Sequence, residues 1–130
     1  MNSLIGLWLY TSLIYQGQPL TRPNPELKIY YSFESESVNE IFYFRENETG
    51  SCRRKAEYEI IDSEIRQKVT KVDPANADIC AQDTDMQLGN YSATKFEVIG
   101  DKLYLHLPLG EETLIYVWEK INVQQYPRPY

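Results

Sequence analysis

Few side chains in this sequence are able to do covalent chemistry, and their spacing limits what that chemistry is. The one histidine, His106, would have to be the base of any Ser-His-Asp arrangement, because such a nucleophile needs an imidazole within hydrogen-bond reach. It falls mid-strand in "KLYLHL", on the face opposite Leu103, Leu105 and Leu107, where an exposed or edge histidine is expected. Glu57 and Glu59 share a strand face at a separation suited to general acid and base work, but that face is charged and reads as solvated. Cys52 and Cys80 with one distant histidine do not supply the close ligand spacing of a zinc site. "DTDMQLGN", Asp83 to Asn90, fails as a calcium loop: its glycine comes one position late and no bidentate glutamate follows at the twelfth place. Accordingly we assign no catalytic residue, no metal ligand set and no cofactor.

The two cysteines leave two readings open. Each is either a buried free thiol, as in a cytosolic protein, or half of a disulfide. Both lie beside polar, turn-like stretches, "NETGSCRR" and "NADICAQD", which favours a Cys52–Cys80 bond and an oxidising compartment. Chain entropy would make such a bond worth about 3 to 4 kcal/mol.

The elements that must position these groups follow a period of two. "LKIYYSF" sets Leu27, Ile29, Tyr31 and Phe33 on one face against Lys28, Tyr30 and Ser32. "VNEIFYF" follows, with Val38, Phe42 and Phe44 against Ile41 and Tyr43, and the two segments read as a hairpin. "NETG" has the residue types of a tight turn with a left-handed position at Gly50. In "KAEYEII", Ala56, Tyr58 and Ile60 oppose Lys55, Glu57 and Glu59. "SEIRQKVTKV" is ambiguous, because Ile65, Val69 and Val72 are spaced as on a helix while its valines and threonine suit a strand. Residues 73–92 form a long polar loop of the kind that serves as a lid or rim. Gly100 and Asp101 join "TKFEVI" to "KLYLHL" as a two-residue hairpin loop, and "TLIYVWEKI" ends the series, apolar on both faces.

About eight strands at short spacing predict an all-β, antiparallel up-and-down barrel, since closure is how such a sheet removes its edges. The first segment, "LIGLWLYTSLIY", and the last are both apolar on both faces, so they are expected to pair at the seam. At 130 residues the chain reads as one domain over 1–122, followed by an extended tail over 123–130 that is alternatively a docking strand. A net charge of -6 argues against nucleic acid, whose phosphates require a cationic surface. The one basic cluster, Arg53, Arg54 and Lys55, is flanked by acids and reads as a solvated hairpin end. No run approaches the roughly 18 to 20 apolar residues of a membrane helix.

Gly6-Leu7-Trp8 matches the Gly-x-Trp motif on the first strand of lipocalins. "FEVIGDKLYLHLPLGEETLIYVWEKI" is similar to the last three strands of small bacterial lipocalin-like proteins. The resemblance implies that Trp8 plugs the closed end of the barrel and that a basic side chain of the last strand, here Lys120 where arginine is usual, packs over it. No Thr-Asp-Tyr-like motif is present.

Two roles follow from the resemblance. In the first the protein is a non-enzymatic binding protein of the cell envelope. It would hold a small hydrophobic, lipid- or fatty-acid-like ligand against Tyr31, Phe33, Phe42, Phe44, Tyr58, Phe96, Leu103 and Leu105. In the second the barrel is filled by those same side chains. It would then act as an envelope lipoprotein that binds a protein partner through its surface or the 73–92 loop. Either role places a monomer in the periplasm or at the outer membrane, where it touches a membrane only through a lipid anchor, with Met1 standing where a lipidated cysteine would be. The alternative location is the cytoplasm.

Overall fold

The structure, a computed structural model, describes residues 3–122 and 124. The expected 123–130 tail lies outside the described residues apart from Gln124. Among the described residues there are nine strands: β1 (Gly6–Tyr15), β2 (Gln18–Thr21), β3 (Leu27–Phe33), β4 (Val38–Arg45), β5 (Cys52–Ile61), β6 (Glu64–Val72), β7 (Tyr91–Ile99), β8 (Lys102–Leu109) and β9 (Glu112–Ile121). Each of β3 to β9 pairs antiparallel with its neighbour in sequence, β1 pairs with β3, and β9 returns to β1. The result is a closed eight-stranded antiparallel barrel. β2 is the extra strand, paired only with the second half of β1. This architecture is consistent with a lipocalin-like fold.

The seam shows why β1 is apolar on both faces. Trp8 pairs with Lys120 and Tyr10 with Trp118, after which a bulge at Thr11 shifts the register so that Leu13 pairs with Tyr116 and Tyr15 with Leu114. One extra residue reverses the alternation. Inward positions are therefore Trp8 and Tyr10 before the bulge, and Leu13 and Tyr15 after it.

A second bulge accounts for the helix-like spacing of Ile65, Val69 and Val72, which lie on a strand and not on a helix. Ala56 pairs with Val69 and Lys55 with Lys71, leaving Thr70 extra, so the inward series runs through Ile65, Gln67 and Val69 and resumes at Val72.

At the closed end the indole of Trp8 is fully buried and its Nε1–H donates to the carbonyl of Leu4 at 2.9 Å. The Lys120 ammonium lies 5.4 Å from the Trp8 ring, a cation–π contact. Gly6 holds a φ of 138°, and a Cβ built there would stand 2.8 Å from Lys120 Cε. Glycine is thus needed chiefly for its backbone angle, since the lysine can swing aside.

Residues 73–90 run as a strap with two short 3-10 turns, Asp78–Gln82 and Thr84–Met86, the second packed against β5 and β6. A Cys52–Cys80 disulfide ties the strap to β5, and Met86 is buried beneath it.

Two outcomes test this account. Gly6→Ala should lower the unfolding free energy by about 1–3 kcal/mol in urea titrations. The loss should persist in a Lys120→Ala background, and recovery there would mean that crowding and not the backbone angle is responsible. Cys52→Ala/Cys80→Ala should cost about 3–4 kcal/mol and raise amide exchange across 73–90; unchanged exchange there would show the strap to be held by packing alone.

Candidate functional site

The inner face of a small barrel is either filled or hollow, and here it is both. The closed half is filled: Phe33 stacks on Tyr31 at 4.4 Å and meets Tyr58 edge-on at 5.2 Å, and Trp8, Leu103 and Ile65 are fully buried. Beyond this plug lies a cavity of about 490 Å³. Ile29, Ile41, Ile65, Leu105, Leu107 and Leu114 form its aliphatic wall, and Tyr31, Tyr43, Tyr116 and Trp118 form its aromatic wall. Gln67, Ser92 and Thr94 contribute from β6 and β7, and Asp83 and Asp85 reach it from the strap. A second hollow of about 520 Å³ beside Gly6, Glu34 and Lys120 is an open groove on the surface of the closed end.

A hydrogen-bonded chain ties the cavity to the plug. Gln67 Oε1 accepts from the Tyr31 hydroxyl and from Asn39 Nδ2, both at 2.9 Å, and Asn39 Oδ1 accepts from Arg54 Nη1 at 2.6 Å. Arg54 is 1% exposed, its guanidinium lies 5.6 Å from the Tyr31 ring, and its Nε and Nη2 find no partner among the described residues. The cluster read as a solvated hairpin end is therefore divided. Arg53 lies outside against Glu40 and the Phe42 ring, whereas Arg54 points inward because it pairs with inward-facing Ile41.

On the strap, Asp83 Oδ2 accepts from the Tyr43 hydroxyl at 2.8 Å and Oδ1 from the Asp85 backbone N–H at 2.9 Å. Burial, then the hydrogen bond to Asp83 and its charge, push the Tyr43 hydroxyl well above the ordinary phenol range. Burial pushes Asp85 above the usual carboxylate range, with the Arg54 charge pulling the other way and Asp83 adding to the rise.

The eight expected ligand-contacting residues divide into three groups. Tyr31 and Leu105 are in the cavity wall. Phe33, Tyr58, Leu103 and Phe96 face inward but are spent in the core and do not border the cavity. Phe42 and Phe44 correct the expectation, since they lie outside the barrel. Tyr31 pairs with Ile41, so Asn39, Ile41 and Tyr43 are the inward residues of β4, and Phe42 and Phe44 stack instead with Tyr30 on the outer face. His106 also faces outward, with Nε2 3.3 Å from Glu97 Oε1.

No protein-family model matches the chain, and no curated protein matches it. The site therefore has to be read from its own geometry. Sequence reasoning missed Arg54, Gln67 and the strap aspartates. The signal for the aspartates was present, since "DTD" follows Cys80 by three residues and a disulfide partner in the barrel wall draws that segment over the interior.

The sign of the Asp85 shift gives a prediction. A carboxyl that binds its proton more readily folded than unfolded lowers stability as pH rises from the unfolded value near 4 through the raised folded one. Asp85→Asn should therefore be more stable than the parent at neutral pH, with the difference shrinking as pH falls toward about 4. Thermal unfolding across that range measures it, and a neutral-pH loss of stability would show that the attraction of the Arg54 charge outweighs desolvation.

Proposed function

We propose that this protein is a non-enzymatic binding protein that holds one small, largely apolar molecule inside the barrel. The observation that carries the reading is the cavity of about 490 Å³, walled by aliphatic and aromatic side chains with a few convergent polar groups. Small-molecule sites have this form and occupy about 300–1,000 Å³. It favours the binding role over a filled scaffold, because of the eight bulky residues expected in the interior only Tyr31 and Leu105 border the cavity, while the others are in the core or turned outward. Tyrosine suits such a wall, as it offers a ring to the ligand and a hydroxyl to a neighbour.

We infer further that the protein works in the cell envelope, exported as the mature part of a bacterial lipoprotein. The Cys52–Cys80 disulfide is compatible with an oxidising, exported location. Among the described residues no helix is long and apolar enough to cross a membrane. The Gly6, Trp8 and Lys120 arrangement at the closed end supports the lipocalin-like reading from which the envelope role was drawn.

Thr94 offers a clean test because its side chain borders the cavity near the middle of β7. N-phenylnaphthylamine, a neutral dye that brightens in apolar surroundings, should bind the parent protein. Thr94→Phe should weaken that binding at least about tenfold by occupying the space, a loss near 1.4 kcal/mol. Unchanged near-ultraviolet circular dichroism would confirm that the variant is folded. Failure of the parent to bind any apolar probe would remove the basis of this reading.

A further inference from the structure

The polar part of the cavity wall is out of balance. Asp83 and Asp85 bring two carboxylates to it, and the Arg54 charge lowers the cost of ionising Asp85 without lying in the cavity lining. Arg45 at the rim lies 3.8 Å from Glu48 and is engaged there. The cavity lining is therefore net negative, with its two carboxylates beside rings and branched aliphatic chains. Asp83 already accepts two hydrogen bonds. The Asp85 carboxylate accepts none that the described residues supply, and it borders the cavity.

The aromatic wall is chemically suited to the missing charge. Tyr31, Tyr43, Tyr116 and Trp118 all border the cavity, and the negative face of such rings attracts an organic cation. Among the described residues no lysine, arginine or histidine borders the cavity, so its lining holds no cation to balance the two carboxylates.

Arg54 does not make this an anion site. Its Nε and Nη2 are sealed from any open space, and Nη1 is committed to Asn39. An anionic head group entering the cavity would meet the two aspartates and could reach no guanidinium nitrogen.

We propose, on the reading of the barrel as a binding protein, that the cavity takes a small organic monocation: an amine with its ammonium against Asp83 and Asp85 and its apolar ring or chain against the aromatic wall. The ligand class is thus narrower than a lipid and opposite in charge to a fatty acid.

Isothermal titration at neutral pH with three molecules of one skeleton, phenylbutylamine, phenylbutanol and phenylbutanoate, separates the possibilities. The amine should bind at least about tenfold tighter than the alcohol, and the acid weakest. Asp85→Asn should shrink the amine-over-alcohol ratio about tenfold, with the folded state checked by circular dichroism. Alcohol or acid binding as tightly as the amine would overturn the cation proposal and leave the binding reading intact. The same holds if the three fail while N-phenylnaphthylamine binds. If none of the four binds, the binding reading falls with it. An unaltered ratio in Asp85→Asn would also overturn the assignment of the ammonium.

Discussion

Everything in this molecule depends on the pairing of β1 with β9. An eight-stranded sheet of this length left open would expose two long edges with unpaired backbone groups. Joining them fixes the strand number, and strand number sets the width of the interior. The pairing is reinforced across the inside of the seam, where the Tyr10 ring lies 5.2 Å from Tyr116 and 5.6 Å from Trp118. Thr11 is what lets a single strand serve both ends. Its bulge changes the phase of β1, and its hydroxyl donates to the Val117 carbonyl at 3.3 Å. The indole of Trp8 then closes one end, and the strap spans the interior farther along.

The strap is an inserted segment whose own sequence is too polar to pack by itself. It stays in place through three attachments of different kinds: the Cys52–Cys80 bond, the buried Met86 side chain, and the Tyr43–Asp83 hydrogen bond. Beneath it, one acceptor atom, Gln67 Oε1, orients both Tyr31 and Asn39, and Asn39 in turn holds Arg54. Tyr31, Gln67, Asn39 and Arg54 thus form one hydrogen-bonded chain, and a change at any member is felt by the others.

How much of this was legible follows from where alternation is a sufficient guide. The all-β barrel, the pairing of the terminal segments and the burial of Trp8 could be read, because they rest on period-two patterns and on a glycine two places before a tryptophan. The 63–72 segment was ambiguous for a physical reason: a bulge at Thr70 breaks the period of two and leaves inward residues at a spacing that a helix also produces. The inward face of β4 was misassigned because both of its faces are apolar. Asn39, Ile41 and Tyr43 alternate with Val38, Phe42 and Phe44, and only the register with β3 decides between them. Arg54 was invisible for a related reason. A basic residue between two others looks solvated unless its strand phase is known, and the phase comes from its pairing with Ile41.

The interior chemistry is hard to explain by stability alone. A buried guanidinium with two unpartnered nitrogens, a carboxyl disfavoured by its own burial and an indole N–H without an acceptor all oppose folding relative to well-packed apolar side chains of similar volume. A barrel whose only task was to be a scaffold could replace them with leucine or phenylalanine and gain stability. Their combined cost is met elsewhere, by the aromatic plug, the closed seam and the disulfide. Of the three, the Asp85 carboxyl is on a residue of the cavity lining from the strap, and on the proposed function such a group is a preorganised partner that lowers the entropy lost on binding. The closed end and the strap then differ in what they contribute: the first is packed with aromatic side chains, and the second brings Asp83 and Asp85 to the cavity.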